Sequence, residues 1–219
     1  MTILKKCWIF VIGIITASIL VAAPANAATN PFIDVTTKDT HYPAIVELYN
    51  KGIVEGTSSK TYEPYKQVTR QEAALFIANA LKLDTVNVPN AKFTDVPKSS
   101  KYYGAIAALS YKGVISGYPD GTFRPTNTLT RSQIAKMITL AFELSISKNT
   151  VTPFKDVNSI SDIPTRQYIQ TLVDYKITTG TTPTTFSPYT ALNRGQLATF
   201  LKRAIDATGG GDFEIIGIE

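Results

Sequence analysis

Three copies of one pattern, spaced 61 residues apart, constrain this chain more than any other feature of its sequence. The first marker is a Phe-x-Asp-Val tetrapeptide, which begins at Phe32, Phe93 and Phe154. The second is a segment that closes on a glycine, at Gly56, Gly117 and Gly180. An aromatic-x-Pro marker follows at Tyr62, Phe123 and Phe186, and then a helix-start pair at Thr69-Arg70, Thr130-Arg131 and Asn193-Arg194. Four markers in one order indicate three repeats of a single supersecondary unit.

Each repeat has apolar residues with the spacing of two α-helices. The second helix is predicted to begin at the Thr-Arg pair, where Thr69 and Thr130 are suitable N-caps. Glu72 and Gln133, three residues on, can complete capping boxes, and Asn193 is also a suitable N-cap. One apolar stripe per helix cannot be buried by a single repeat. We therefore predict a mainly α fold of three helix-loop-helix repeats that share one core.

The first helix of each repeat has a predicted end. In the first two repeats it stops before a glycine, Gly52 or Gly113, which suits a left-handed C-terminal cap. The third repeat has Lys176 at this place and two extra residues between Val157 and Tyr168. Its first helix is therefore expected to begin or end differently from the other two.

The first 27 residues have the organisation of a secretory signal peptide. Lys5 and Lys6 precede an apolar run over residues 8–21, and Ala25-Asn26-Ala27 matches a signal-peptidase site. The run is shorter than the roughly 20 residues of a membrane span. We predict cleavage after Ala27, repeats at 28–91, 92–152 and 153–208, and a flexible tail at 209–219.

The composition of the mature chain excludes most catalytic mechanisms. Cleavage removes Lys5, Lys6 and Cys7, so the formal net charge falls from +5 to +3 and no cysteine remains. This charge favours an anionic polymer but does not indicate nucleic acid. With His41 as the one histidine, a Cys-His pair is impossible and a Ser-His-Asp set would depend on a residue of one repeat. No cofactor or metal site is expected, and a carboxylate-only glycosidase is left as an alternative.

These markers resemble those of the S-layer homology family, and the resemblance covers residues 32 to about 206. Repeats of that family open with Phe-x-Asp-Val, continue through Gly-Ile-x-x-Gly and an aromatic-x-Pro, and begin their second helix with Thr-Arg-Ala-Glu. The third repeat departs from this motif with Asn193, Gly195 and no glutamate. The resemblance implies a pseudo-threefold, three-pronged helical unit. It also implies attachment of exported proteins to secondary cell-wall polymers in grooves between repeats, commonly through a pyruvate ketal on a terminal sugar.

The arginines of the helix-start pairs are the proposed ligands of the ketal carboxylate; they are Arg70, Arg131 and Arg194. Each is predicted at the first position of a helix, beside free backbone N–H groups and the positive end of the helix dipole, which favour an anion. A guanidinium also offers a planar fork of donors to a carboxylate. Alternatively, each arginine is merely exposed, or pairs with a Phe-x-Asp-Val aspartate.

Other repeated residues are candidate polysaccharide contacts, most of them with a structural alternative. The further helix-start candidates are Thr69, Gln71, Thr130, Ser132 and Asn193. The aspartates that could bind sugar or cap a helix are Asp34, Asp95 and Asp156. The glycines that could admit sugar to the backbone or only form turns are Gly56, Gly117 and Gly180. Tyr42 and Tyr103 could stack on sugar or pack half-buried.

Together these features predict a secreted, monomeric protein held non-covalently at a bacterial cell wall, of the Gram-positive type, by an anionic polysaccharide. The alternatives are a structural or adhesion protein of the surface layer that binds protein partners, and a wall-polymer hydrolase. Members of the family generally append a large passenger domain. Few residues follow the third repeat, so the chain is expected to be either the bare anchor or part of a longer protein.

Overall fold

The computed structural model describes residues 29–209, and α-helices form the regular structure of this range. The predicted signal peptide at 1–27 and residues 210–219 of the predicted tail lie outside it. The helices are α1 (Tyr42–Asn50), α2 (Arg70–Ala80), α3 (Tyr103–Tyr111), α4 (Arg131–Ala141), α5 (Lys155–Asn158), α6 (Ile163–Asp174) and α7 (Arg194–Ala207). Between residues 29 and 209 the chain forms isolated β-bridges but no β-strand. The prediction of a mainly α fold is confirmed.

The second helix begins at the predicted pair in every repeat. The three helices α2, α4 and α7 start at Arg70, Arg131 and Arg194. A capping box closes each start, formed by Thr69 with Glu72, Thr130 with Gln133 and Asn193 with Gln196. The sequence predicted the first two boxes, and Gln196 completes a third that was not predicted. All three helix starts are therefore fixed by the same local hydrogen bonds.

A residue with a left-handed backbone follows the end of α1, α3 and α6, two positions after the last helical residue. Gly52 has a φ of 69° and Gly113 a φ of 74°, which confirms the predicted left-handed caps. Lys176 takes the same conformation in the third repeat, with a φ of 58°. The third repeat differs as expected, because the short helix α5 precedes a longer α6 that Asp162 caps through the Thr165 amide. The repeat thus keeps the shared helix ending although its helix start has moved.

The repeats pack in a closed cycle. Helix α2 of the first repeat packs against α3 of the second, α4 of the second against α6 of the third, and α7 of the third against α1 of the first. One continuous core contains buried residues of all three second helices, including Phe76, Ile138 and Leu201. The predicted shared core is confirmed. The cyclic order is the one that a pseudo-threefold arrangement requires.

Three backbone hydrogen bonds close the cycle at its centre. The Val68 amide donates to the Leu192 carbonyl (3.0 Å), the Leu129 amide to the Val68 carbonyl (3.3 Å), and the Leu192 amide to the Leu129 carbonyl (2.9 Å). All three side chains are fully buried. The segments directly before α2, α4 and α7 therefore hold one another, which sets the position of each helix start against the next repeat.

Across residues 29–209, no helix combines the length and the apolar character that crossing a membrane requires.

Candidate functional site

The backbone N–H groups at the start of each second helix are not free. The Arg70 amide donates to the Asn127 carbonyl, and the Gln71 amide donates to the Pro125 carbonyl. The same pair of bonds recurs from Arg131 and Ser132 to the third repeat, and from Arg194 and Gly195 to the first. The next N–H of each helix is held by the side chain of Thr69, Thr130 or Asn193. The prediction that free helix-start N–H groups attract a carboxylate is therefore wrong, because the neighbouring repeat already supplies their acceptors.

The helix-start arginines reach into the next repeat and are buried. Their exposed fractions are 9% for Arg70, 3% for Arg131 and 1% for Arg194. Each Nε donates to the carbonyl of the aromatic-x-Pro marker, with distances of 2.8 Å from Arg70 to Phe123, 2.6 Å from Arg131 to Phe186 and 2.8 Å from Arg194 to Tyr62. The alternatives, that these arginines are exposed or that they pair with the repeated aspartates, are also wrong.

Each guanidinium also lies over the aromatic ring whose carbonyl it binds. The distances from the guanidinium carbon to the ring centroid are 4.5 Å for Arg70 and Phe123, 4.5 Å for Arg131 and Phe186, and 4.6 Å for Arg194 and Tyr62. Cation–π contacts of this kind stabilise a desolvated cation. The arginines thus join neighbouring repeats, whatever else they bind.

The terminal nitrogens of the three guanidinium groups have different partners. Arg194 forms an ion pair with Glu72 and donates to the Glu55 carbonyl at 2.6 Å. Arg70 makes a long contact of 3.4 Å with the Ser116 carbonyl. The terminal nitrogens of Arg131 make no hydrogen bond within residues 29–209. The third repeat has no glutamate at its own helix start, yet Arg194 has a glutamate partner, Glu72 of the first repeat. Each arginine meets the second helix of the following repeat rather than its own.

Burial lowers the pKa of the two arginines that have no ion-pair partner. Desolvation lowers the pKa of Arg70, and it lowers the pKa of Arg131 to about 10. The charges of Asp95 and Asp156 act in the opposite direction on Arg70 and Arg131, respectively, and raise these pKa values. Both guanidinium groups remain protonated at neutral pH. They are desolvated cations without a carboxylate within salt-bridge distance in the described part of the chain.

A groove of about 200 Å³ lies between the first and second repeats, beside Arg70. Arg70 comes from the first repeat, and the other lining residues come from the second: residues 114–118, Gln133, Lys136 and Met137. Arg70 and Lys136 are its cations, and none of the residues that line it is acidic. Tyr118 contributes an aromatic ring, 5.3 Å from the guanidinium carbon of Arg70. The groove has the charge and the position that an anionic ligand between repeats would need.

The repeated aspartates bind the backbone of their own repeat. The Asp34 carboxylate accepts from the amides of Tyr62 and Glu63 at 2.9 and 2.7 Å, and Asp95 accepts from Phe123 and Arg124 at 2.7 Å each. Asp156 accepts from Phe186 and Ser187 in the same way. The second amide of each pair belongs to a residue with a left-handed backbone. These aspartates hold a turn about 28 to 31 residues away rather than capping a helix.

The repeated glycines pack against the phenylalanine of the Phe-x-Asp-Val marker. A Cβ on Gly117 would lie 2.5 Å from a ring carbon of Phe93, and one on Gly180 would lie 2.5 Å from Phe154. Gly56 has the same relation to Phe32, at 2.6 Å. The turn therefore requires glycine at these positions for packing, and their contact with sugar stays a prediction.

Tyr42 and Tyr103 are both half-buried against the core. Neither lines the groove beside Arg70, and the Tyr103 hydroxyl donates to Asn90 at 3.2 Å. Their stacking on sugar stays a prediction. The sequence analysis did not identify Tyr118 and Lys136 as candidate groove residues, because neither is repeated. Tyr118 corresponds to Thr57 in the first repeat and Thr181 in the third, and Lys136 corresponds to Leu75 and Thr199.

His41 has a structural role at the contact between the first and third repeats. Its Nδ1 lies 2.8 Å from the Thr199 hydroxyl, and burial lowers its pKa. Its ring covers Gly195, where a Cβ would lie 2.6 Å from the imidazole. The packing of the His41 ring on α7 therefore explains why the third repeat has glycine at position 195. Within residues 29–209, no group of three or more His, Cys, Asp or Glu residues is placed to hold a metal ion.

The fold is a helical module of three repeats that pack in a closed cycle, and it has a cationic groove between the first and second repeats. The profile of the S-layer homology domain matches residues 31–74, 92–135 and 153–198. These matches contain all three Phe-x-Asp-Val segments and all three helix starts. The chain belongs to the S-layer homology domain family.

Similar proteins include two surface-layer proteins and an anchoring protein. The Surface-layer 125 kDa protein of Lysinibacillus sphaericus is 28% identical over 195 residues, covering 88% of this chain and 16% of that protein. The S-layer protein of Bacillus thuringiensis subsp. finitimus is 30% identical, covering 87% and 23%. The Cellulosome-anchoring protein of Acetivibrio thermocellus is 27% identical, covering 70% and 35%. The chain thus matches well under half of each of these relatives.

Proposed function

We propose that this protein is a non-enzymatic anchor that attaches, with any protein joined to it, to a bacterial cell wall by binding an anionic polysaccharide. The observation that carries the proposal is the groove beside Arg70, which contains two cations and no acidic lining residue. The names of the relatives, two surface-layer proteins and a cellulosome-anchoring protein, support a role at the cell surface. We place the protein outside the cell, as a monomer on a wall of the Gram-positive type.

The proposed ligand group is a carboxylate on a sugar, as in a pyruvate ketal. It would supply the counter-charge that the buried Arg70 guanidinium lacks, and a charge-assisted hydrogen bond contributes about 1.5 to 3 kcal/mol. Lys136 would add attraction at the open side of the groove. Tyr118 also lines the groove, where its ring packs against the guanidinium groups of Arg124 (3.8 Å) and Arg70 (5.3 Å). Because each contact is modest, attachment would depend on more than one junction binding the wall polysaccharide.

Co-sedimentation with purified wall sacculi tests the proposal. The mature protein, residues 28–219, is mixed with intact sacculi and with sacculi from which the secondary polysaccharide has been chemically stripped. The proposal predicts sedimentation with the intact sacculi only. Equal sedimentation with both would contradict it and would favour a surface-layer protein that binds other wall or protein components. Release of reducing sugar from the purified polymer would instead indicate a hydrolase.

A further inference from the structure

The third position of the second helix differs between the repeats. It holds Glu72 in the first repeat, Gln133 in the second and Gln196 in the third. Each helix-start arginine faces the second helix of the following repeat, so Arg194 meets Glu72 whereas Arg70 shares its groove with Gln133. The three junctions between repeats therefore contain the same arginine but not the same partner for it.

We propose that the Glu72 carboxylate occupies on Arg194 the place that a ligand carboxylate takes on Arg70 and Arg131. Two of the three junctions are then open to the anionic polysaccharide, and the third is closed by the protein itself. This inference rests on the proposed function and adds to it which junctions bind.

The capping boxes explain how one position serves two roles. One oxygen of the Glu72 carboxylate accepts from the Thr69 amide at 2.9 Å, and the Gln133 side-chain oxygen accepts from the Thr130 amide at the same distance. The capping bond uses only one of the two terminal atoms of the Glu72 or Gln133 side chain, so the other can make a second contact. In Glu72 it is an oxygen, which binds Arg194, and in a glutamine it is an amide NH₂. An NH₂ group cannot accept from a guanidinium, but it can donate to a bound carboxylate.

The charges at the three junctions follow the same order. The Arg70 groove also contains Lys136. The residue equivalent to Lys136 is Thr199 at the Arg131 junction, where its hydroxyl contacts His41, and Leu75 at the Arg194 junction. At the positions equivalent to Arg70 and Lys136, the charge therefore falls from two cations at the first junction, through one at the second, to Arg194 paired with Glu72 at the third. Binding is strongest at Arg70 and absent at Arg194.

Two opposite substitutions test this assignment while keeping every capping box. Gln133→Glu places a carboxylate beside Arg70, and Glu72→Gln removes the one beside Arg194. The readouts are affinity and stoichiometry for polysaccharide fragments released from the wall, measured by titration calorimetry, and the thermal midpoint without ligand. Asn149→Asp is the control, because it makes the same charge change at an exposed turn where the side-chain oxygen holds the Val151 amide.

We expect Gln133→Glu to lower affinity about tenfold or more and to raise the ligand-free midpoint. Glu72→Gln should lower the midpoint and raise the number of binding junctions from two to three. Asn149→Asp should change neither by a comparable amount. If Glu72→Gln does not fold, Gln133→Glu alone decides.

The outcomes separate this inference from the proposed function. If the unsubstituted protein binds but Gln133→Glu binds equally well, or if folded Glu72→Gln gains no site, the assignment of Glu72 is overturned and the proposed function stands. If the unsubstituted protein does not bind the polysaccharide, both are overturned.

Discussion

Arg194 of the third repeat and Glu72 of the first form an ion pair that joins the two ends of the repeat order. Arg194 is almost fully buried, and its guanidinium also donates to the carbonyls of Tyr62 (2.8 Å) and Glu55 (2.6 Å). The first and last repeats are thus held by the same arginine contact that joins consecutive repeats, with an ion pair added. This junction makes the array a closed cycle rather than an open stack.

Removing Arg194 should destabilise the protein strongly. Arg194→Met leaves one oxygen of the Glu72 carboxylate and two backbone carbonyls without their donor, so we expect a loss of about 3 kcal/mol or more in the free energy of unfolding. Chemical denaturation followed by circular dichroism measures it. The control is Lys202→Met on the same helix, whose ion pairs are more exposed and should contribute less than about 1 kcal/mol. Equal losses would contradict a structural role for Arg194.

The aspartate of the Phe-x-Asp-Val marker should matter for stability and not for binding. Asp95→Ala leaves the amides of Phe123 and Arg124 without an acceptor, which should cost about 2 kcal/mol or more in unfolding free energy. The folded fraction should still bind wall polysaccharide with little change in affinity, because Asp95 does not line the groove and acts on Arg70 only through its charge. A large loss of affinity with unchanged stability would instead identify Asp95 as a sugar ligand.

Lys176 is expected to be a site of avoidable backbone strain. Its φ of 58° is left-handed, where the two other repeats have glycine. A side chain in this conformation costs roughly 1 to 2 kcal/mol, and the extra unfolded-state entropy of glycine offsets about 0.5 to 1 of it. Lys176→Gly should therefore raise the unfolding free energy by up to about 1.5 kcal/mol. The reciprocal change, Gly113→Lys, should lower it by a similar amount, and a stabilising Gly113→Lys would refute the argument.

The contact between His41 and Gly195 should appear as coupling between two substitutions. Gly195→Ala drives a methyl group into the His41 ring, so we expect a loss of about 1 to 3 kcal/mol. In a His41→Ala background the two closest ring atoms are gone and only the Cβ of residue 41, at 3.1 Å, still contacts the methyl group, so the same substitution should cost less. A double-mutant cycle on thermal or denaturant unfolding measures this difference. Additive losses would show that the ring does not limit the residue at position 195.

The sequence was sufficient to predict the repeats, the helix starts and the shared core. Thr69 and Thr130 fix their helices through local hydrogen bonds, and an apolar stripe that one repeat cannot cover implies contact between repeats. The boundary residues Gly52 and Gly113 also have the predicted left-handed backbone. These features depend on local or periodic sequence patterns, which is why they can be predicted from the sequence alone.

The environment of the arginines could not be predicted in the same way. The sequence places Arg70 at a helix start, but only the packing brings the Pro125 and Asn127 carbonyls to that start and buries the side chain against Phe123. The pairing of Arg194 with Glu72 likewise joins residues 122 positions apart. Within the motif of the first repeat, Glu72 stands two residues after Arg70, which suggests that these two residues belong together. In the structure Glu72 pairs with Arg194 instead, because each arginine contacts the following repeat.

Two single-charge substitutions test the central claim, that the groove beside Arg70 binds the anionic wall polysaccharide. Lys136→Gln and Lys98→Gln each remove one exposed positive charge, but only Lys136 lines the groove, whereas Lys98 lies in a different cleft with Lys101 and Tyr103. We predict that Lys136→Gln lowers the affinity for purified polysaccharide about fivefold and that Lys98→Gln leaves it nearly unchanged. An equal or larger loss with Lys98→Gln would contradict the claim, since the general basic surface or the second cleft would then be the binding site.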